Sequence, residues 1–170
     1  MTDDDRGLSI EIDPLLFRKA LGTFATGVVV VTSTTDGGPY GMAVNSFTSV
    51  SLDPPLIAFC AARSSTTWPA VRAAPGFAVN VLTTDQEDVC RTFARSGADR
   101  FAGLAWSAEG EGPPLLEGAL AHLVCTYDDI HPAGDHDLVV GRVVSLQQRE
   151  DGQPLVFFRG SYTRLESSSS

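Results

Sequence analysis

The densest group of hydrogen-bonding side chains in this sequence lies between residues 45 and 51. It comprises Asn45, Ser46, Thr48, Ser49 and Ser51, at the end of a stretch that is typical of a β-strand. Neutral hydroxyl and amide groups can hydrogen-bond the polar edge of a ring without bringing charge to it. The same groups can instead satisfy backbone atoms of a β-bulge or turn, and the pattern alone favours that local role.

A second polar group, Arg63-Ser64-Ser65-Thr66-Thr67, stands immediately before a predicted helix. Backbone amides at a helix N-terminus point outward, and the helix dipole favours an anion there. The hydroxyl side chains add donors and Arg63 adds positive charge, so this segment could bind a phosphate. Simple N-capping uses the same residue types, and the sequence leaves both interpretations open.

A third candidate is the pair Arg100 and Phe101, which follows a later predicted helix. An Arg beside an aromatic ring could reach a phosphate or flank a planar ligand. A solvated Arg next to a core Phe is the commoner arrangement, so the sequence alone favours a structural role for this pair.

The fourth candidate is Gly134-Asp135-His136, which we place in a loop before a strand. A loop histidine can orient a ligand, donate to an oxyanion or shuttle protons near neutral pH. With Asp137 and His131 it could suggest a metal site, but the spacing is not a zinc pattern, and we predict no metal. No GxGxxG, P-loop or GxSxG motif occurs, so nucleotide-binding folds and α/β-hydrolase chemistry have no local support.

The composition is that of one globular domain. A chain of 170 residues with 43% hydrophobic and 19% charged residues can bury a core and is not disordered throughout. No apolar run approaches the roughly 20 residues that span a bilayer, and the acidic N-terminus does not resemble a signal peptide, so we expect a cytoplasmic protein. The net charge of −9 argues against general nucleic-acid binding. We place a flexible arm at residues 1–12, one domain at 13–165 and a disordered tail at 166–170.

The three cysteines, Cys60, Cys90 and Cys125, form no C-x-x-C pair and stand in apolar surroundings. We interpret them as reduced core residues rather than as redox groups or metal ligands. A domain of this size needs no disulfide in order to fold.

The first predicted helix is amphipathic. A capped start at residues 13–14 precedes Phe17, Leu21 and Phe24, whose spacing of i, i+4 and i+7 gives one apolar face. We expect Gly27 to end this helix.

Two further helices are expected between strands. A short one follows residue 67 and ends before Pro75. Thr84 and Glu87 have the spacing of a capping box, which predicts a helix over residues 85–95.

Short β-branched or alternating runs predict six or more strands. They lie at residues 28–32, 40–47, 56–60, 77–82, 119–127, 138–146 and 155–158. The first two form an antiparallel pair across a turn at residues 36–39. A doubly wound parallel fold needs a helix between most strands, and this chain lacks them. We therefore predict a mainly β, α+β fold, an antiparallel barrel with a few peripheral helices.

Five segments of the chain, in this order, closely resemble those of the flavin reductase family, the small reductase components of two-component flavin-dependent monooxygenases. They are GMAVNSFTSVSLDPPL from Gly41, SSTTW from Ser64, FAVNVL from Phe77, DRFAG from Asp99 and AGDH ending at His136. The similarity spans residues 17–165, and five motifs in register are specific although each alone is weak.

The resemblance implies a homodimeric, FMN-binding split barrel with the flavin near the subunit interface. Asn45, Ser46, Thr48 and Ser49 resemble the positions that line the isoalloxazine and ribityl chain. Ser51 is expected at the same edge.

Two further flavin contacts are implied in the same way. Ser64, Ser65 and Thr66 resemble the segment that meets the flavin phosphate. Arg100 and Phe101 resemble an additional contact on the flavin side.

The activity that the resemblance implies is hydride transfer from NAD(P)H to FMN, with FAD as a possible substitute. His136 matches the histidine that positions the nicotinamide over the flavin, and we assign it the catalytic role. NADH rather than NADPH is expected from the habit of the family. A flavin-dependent monooxygenase is the expected partner of the reduced flavin.

Two alternatives stay open. One is another FMN-dependent oxidoreductase on the same barrel, such as an oxidase or a reductase of an organic substrate. The other is a flavin- or haem-binding module, or a structural interaction domain, without turnover. The histidine in its Gly-Asp-His setting favours the reductase over the first alternative. Binding of flavin without oxidation of NAD(P)H would indicate the second.

Overall fold

Strands dominate residues 11–97 and 99–165, the part of the chain that the computed structural model describes. The predicted tail at 166–170, and the predicted arm except for residues 11 and 12, lie outside it. The helices are α1 (Pro14–Leu21), α2 (Trp68–Ala73) and α3 (Glu87–Ala94), and a 3₁₀ turn at Thr84–Gln86 leads into α3. The strands are β1 (Thr26–Gly27), β2 (Val29–Thr35), β3 (Gly38–Val44), β4 (Thr48–Leu52), β5 (Pro55–Ala62), β6 (Phe77–Val81), β7 (Trp106–Ser107), β8 (Leu115–Leu116), β9 (Ala121–Ala133), β10 (His136–Gln148), β11 (Val156–Phe158) and β12 (Ser161–Thr163).

Seven of these strands form one antiparallel sheet in the order β3-β2-β6-β9-β10-β5-β4. The small sheets β1-β11-β12 and β7-β8 complete the fold. The large sheet is not closed: β3 and β4 are its two edges, and only residues 45–47 connect them along the chain. The prediction of a mainly β, antiparallel architecture with few helices is confirmed, with the barrel open between β3 and β4.

The central strand β2 is buried on both of its faces. Val29 and Val31 join the apolar cluster that includes Trp68 and Val71 of α2. Val28, the residue before β2, and Val30 join a second cluster beneath α3. A strand covered on both sides can be apolar at every position, which explains the unbroken run of valines in the sequence.

Helix α1 is shorter and more exposed than the sequence predicts. Asp13 caps it as expected, because its carboxylate accepts from the Leu15 amide at 2.9 Å. The helix ends at Leu21 rather than at Gly27, since the Thr23 hydroxyl and amide both bond to the Ala20 carbonyl. None of its residues is buried, so among the described residues nothing covers its apolar face.

One other prediction needs correction. The capping box that leads into α3 is formed by Thr83 and Gln86, one residue before the predicted pair.

Residues 48–52 form the edge strand β4, which pairs with β5 around a bulge at Val50. The sequence predicts a bulge or turn for this segment as one of two interpretations, and the bulge is present. Edge strands tolerate polar side chains and bulges, which is consistent with the hydroxyl-rich sequence.

The hairpin of β9 and β10 extends further than predicted. Each strand has 13 residues, and the turn between them contains only Gly134 and Asp135. Gly134 has a φ of 62°, the left-handed backbone that a tight hairpin turn takes most easily at glycine. As a result His136 is the first residue of β10, not a member of a loop.

Candidate active site

The outer face of β5 brings most of the candidate residues into one row. In β5, Ile57, Phe59 and Ala61 belong to the apolar core. Because side chains alternate along a strand, Ala58 and Ala62 lie on the opposite, outer face. Thr48 is paired with Ala58 on one side of β5, and His136 is paired with Ala62 on the other.

The polar segment between β3 and β4 crosses the opening of the sheet beside this row. The Ser46 hydroxyl accepts from the Cys60 amide at 2.9 Å and donates to the Cys60 carbonyl at 3.2 Å, as a strand partner would. Asn45, Thr48 and Ser49 are exposed. Ser46 therefore fixes the segment to β5, and Asn45 and Thr48 are free to face a ligand. Ser49 pairs with the core-facing Ile57, on the opposite face from Thr48, so its role as a flavin contact stays a prediction.

Ser51 lies on the same face of the sheet as Thr48. It is half-buried and pairs with Leu56, beyond the bulge at Val50. A bulge changes the face on which the following residues lie, and here it places Ser51 beside Leu56, which is on the same face of β5 as Ala58. The role of Ser51 as a flavin contact stays a prediction.

The predicted phosphate segment precedes α2 as expected. The Ser65 hydroxyl accepts from the amides of Thr67, the N-cap residue of α2, and of Trp68, at 3.2 Å each, and so satisfies two amides at the start of the helix as a cap would. Ser64 and Thr66 are exposed on either side of it. The capping interpretation thus describes Ser65 in this structure, while the exposed hydroxyls of Ser64 and Thr66 can still bind an anion.

The sequence suggests that Arg63 supplies positive charge for a phosphate at this segment, but the structure pairs Arg63 with a carboxylate instead. The Arg63 guanidinium is held by Asp137, with 2.8 Å between Nε and Oδ1. A different cation, Arg100, lies across a cleft of about 190 Å³ that Thr66 also lines. Its Nη1 donates to the Gly41 carbonyl at 2.6 Å, and it forms no ion pair within the described residues, so its charge is available to an anion in the cleft.

Phe101 is a core residue that also borders this cleft. Only 8% of it is exposed, and its ring packs edge-on against Phe93 and Trp106 at centroid distances of 5.1 and 5.8 Å. Gly41 belongs to the same packing, since a Cβ there would lie 2.5 Å from the Phe93 ring. Phe101 thus supports the wall that positions Arg100, and a direct contact with flavin stays a prediction.

His136 is accessible at the start of β10. Its side chain is 41% exposed, and Nδ1 lies 2.7 Å from the carboxylate of Asp135 in the turn. This hydrogen bond lowers the pKa of the Asp135 carboxyl. The contact orients the imidazole ring and leaves Nε2 free to meet a ligand.

The candidates form two neighbouring groups rather than one tight cluster. Along β5 the step from Ala58, beside Thr48, to Ala62, beside His136, is about 13 Å at the usual strand rise. Arg100 and Thr66 form the second group, at the cleft beyond the end of β5. Such a spread fits an extended ligand better than a small one.

Asp137 is a functional candidate that the sequence analysis missed except as a possible metal ligand. Its side chain points to the core face of β10, and the residue is only 4% exposed. It accepts hydrogen bonds from Trp68 Nε1 at 2.9 Å and from Arg63 and Arg72, which lower the pKa of its carboxyl. One signal in the sequence could have identified Asp137: a charged residue at a core-facing position of an apolar strand needs a partner.

The remaining titratable groups near the site are accounted for by local contacts. His131 pairs with Asp129 at 3.1 Å, and within residues 11–97 and 99–165 no cluster of His, Cys, Asp or Glu could hold a metal ion. Cys90 and Cys125 are buried as predicted, and burial raises the pKa of the Cys125 thiol to about 12. Cys60, in contrast, is half-buried on β5.

No helix in the described part of the chain is long and apolar enough to cross a membrane.

Comparison with known proteins identifies the family. The model of the flavin reductase like domain matches residues 21–166. The reductase subunit of a flavin-dependent monooxygenase from Rhodococcus jostii is 42% identical over 98% of this chain and 85% of its own length. An FMN reductase (NADH) from Agrobacterium fabrum is 48% identical over 88% of this chain and 84% of its own length.

A solved structure agrees with these sequence relatives. The NADH:FAD oxidoreductase of Streptomyces globisporus, solved with NAD and FAD fragments, superimposes with a TM-score of 0.88 at 36% identity, covering 93% of this chain and 96% of the other. The match of both sequence and fold over nearly the whole chain shows that this protein belongs to the flavin reductase family.

Proposed function

We propose that this protein is an oxidoreductase that transfers a hydride from NADH to FMN and supplies the reduced flavin to a partner monooxygenase. FAD is the alternative flavin and NADPH the alternative donor. The observation that carries the proposal is the position of His136, accessible and oriented by Asp135, on the sheet face that also presents Thr48 beside β5. The proposed domain comprises residues 13–165, and the proposed setting is the cytoplasm.

The donor set of this face fits a flavin. The isoalloxazine ring is flat, with a polar edge of carbonyl and nitrogen atoms, and the exposed Asn45 and Thr48 offer neutral donors beside a strand of small side chains. The phosphate at the other end of the flavin is anionic. Arg100 and Thr66 offer a cation and a hydroxyl across one cleft, which is the pairing that such a group requires.

The chemistry asked of the protein is positioning. Bound flavin supplies the acceptor for a hydride that leaves the nicotinamide, so the chain needs no nucleophile of its own. With flavin bound, Asn45 and Thr48 would donate hydrogen bonds to the polar edge of the ring as negative charge develops on it. His136 would hold the nicotinamide carboxamide, and the extended face would bring the two ligands together for hydride transfer.

We also propose that two copies of the chain assemble as a homodimer. Large apolar side chains are exposed on α1, in the segment directly after it, and on β10. They are Leu15, Leu16, Phe17 and Leu21 of α1, Phe24, and Val144 and Leu146 of β10. An apolar helix face without cover in one protomer favours burial against another protein surface. The family resemblance implies that the surface covering this face belongs to a second copy of the chain.

The decisive experiment is an NADH oxidation assay with purified protein, with FMN added or omitted. We expect oxidation that requires added FMN and rises with its concentration, and faster turnover with NADH than with NADPH. Flavin titration by fluorescence quenching serves as the control for binding. Binding of FMN without oxidation of either nicotinamide would refute the reductase assignment and favour a non-catalytic flavin-binding module.

A further inference from the structure

Asp137 occupies a position that links the two groups of candidate residues. It follows His136 directly, and because β10 alternates its side chains, His136 faces outward while Asp137 faces the core. One oxygen of the carboxylate accepts from Arg63 Nε at 2.8 Å. The other accepts from Trp68 Nε1 at 2.9 Å and from Arg72 Nη1 at 3.2 Å.

The three donors flank the predicted phosphate segment on both sides. Arg63 comes immediately before Ser64, whereas Trp68 and Arg72 belong to α2, which begins two residues after Thr66. Residues 64–66 are therefore held at both ends by groups that bond to one carboxylate.

Arg63 adds two further links between the same parts of the chain. Its backbone amide donates to the Asp135 carbonyl at 3.0 Å, and its Nη1 approaches the Gly134 carbonyl at 3.4 Å. Both acceptors lie in the tight turn that precedes His136. The loop before α2 and the β9–β10 turn are thus joined by backbone and side-chain bonds together.

We propose that Asp137 is a positioning residue that fixes residues 64–66 relative to His136. The inference rests on the proposed function, in which the first segment holds the flavin phosphate and His136 holds the nicotinamide. Asp137 is turned toward the core and touches neither ligand.

The physical reason is the sensitivity of hydride transfer to geometry. A displacement of about 1 Å between reacting groups can lower a rate by as much as a hundredfold. A nearly buried carboxylate whose oxygens accept from three donors has one defined arrangement. A merely structural anchor would affect thermal stability and leave the rate of the bound complex unchanged.

The primary test is Asp137→Asn, with Asp128→Asn as its matched control. Asp128 also pairs with an arginine across the same hairpin, 2.7 Å from Arg142, and within the described residues no hydrogen bond or ion pair joins it to residues 63–72. The measurement is the rate of flavin reduction in a stopped-flow experiment at saturating FMN and NADH, below the melting temperature of every variant. We expect Asp137→Asn to reduce this rate by about tenfold or more and to weaken FMN binding, whereas Asp128→Asn retains the rate of the unaltered protein.

A second variant, Arg63→Lys, decides the matter if Asp137→Asn does not fold. It retains the positive charge but removes the Nε donor to Asp137, and the Arg63 side chain is half-exposed. We expect a slower reduction of bound flavin in this variant also. Where both single variants fold, the double variant should lose less rate than the product of the two single losses, since both substitutions act on the bond between Arg63 and Asp137.

Three results would overturn the inference. They are an unchanged rate in Asp137→Asn with only a lower melting temperature, an unchanged rate in Arg63→Lys, or strictly additive losses in the double variant. Absence of NADH oxidation by the unaltered protein is a different result, because it would refute the proposed function itself.

Discussion

His136 and His131 form a natural comparison at the level of single residues. Both are on the β9–β10 hairpin, both pair with an aspartate, and His131 lies beside Leu138, two residues from His136 in β10. Only His136 stands beside the end of β5, next to the candidate flavin site. The proposed role in nicotinamide binding therefore applies to His136 and not to His131, although their local chemistry is alike.

Replacing His136 with Ala should impair the use of NADH far more than the binding of FMN. We expect the kcat/KM for NADH to fall by about tenfold to a thousandfold, the range typical of loss of one positioned polar group, with the Kd for FMN nearly unchanged. Steady-state kinetics and flavin titration measure the two quantities. His131→Ala is the control, and equal effects of both substitutions would contradict the assignment.

Asp137 also predicts how stability depends on pH. Hydrogen bonds from Trp68 and Arg63 lower the pKa of its carboxyl below the ordinary value of 3.8. Its contribution to stability is therefore complete above that value and is lost as the pH falls through the pKa of the folded state. Melting temperatures measured between pH 7 and pH 3 should drop less steeply for Asp137→Asn than for the unaltered protein. Parallel curves would argue against this linkage.

At the level of elements, β10 has a glycine, Gly141, where the strand crosses the core. A Cβ on Gly141 would lie 2.5 Å from Phe77 Cζ and 3.2 Å from Ile57 Cδ1. The core of the sheet is thus packed directly against the backbone of the strand that carries His136. Glycine is required here by close approach, not by its backbone angles.

Gly141→Ala should destabilise the fold by about 1–3 kcal/mol, the usual cost of adding a methyl group to a packed core. Chemical denaturation measures this change in the free energy of unfolding. Gly27→Ala, in β1, is the control, because no atom lies within 4 Å of a Cβ at that position. If the two variants had equal stability, the core around Phe77 would be looser than the structure indicates.

At the level of the whole molecule, the exposed apolar residues require an explanation that one protomer does not offer. Leu16 of α1 and Leu146 of β10 are 63% and 64% exposed. Isolated apolar residues on a surface are ordinary, but a group on one helix marks an interaction site. Because α1 is capped and regular yet buries nothing within the chain, its apolar face fits a role between subunits.

The unaltered protein should sediment at twice the 18.0 kDa mass of the chain. Leu16→Glu and Leu146→Glu, made separately, should each shift it toward monomer, because a buried charge without a partner opposes association. Sedimentation velocity at several concentrations measures the shift. Gln148→Glu, on the same exposed stretch of β10, adds the same charge without removing apolar area and should stay dimeric. A monomeric unaltered protein would contradict the proposal.

The sequence by itself determined the class of fold and the identity of most elements. The valine run before Ser33, the Asp13 cap and the paucity of helices are local signals, and each element they predict is present. The family resemblance likewise depended on short motifs that are read directly from the chain, and the comparisons confirm it.

Only the tertiary structure decided which polar residues lie together. Asp137 lies up to 74 residues along the chain from its partners Arg63, Trp68 and Arg72. Only the pairing of β5 with β10 brings Asp137 into contact with them. The same pairing commits Arg63 to Asp137 and leaves Arg100 available at the cleft. Such assignments depend on which distant strands pair with each other, and local sequence patterns do not specify that choice.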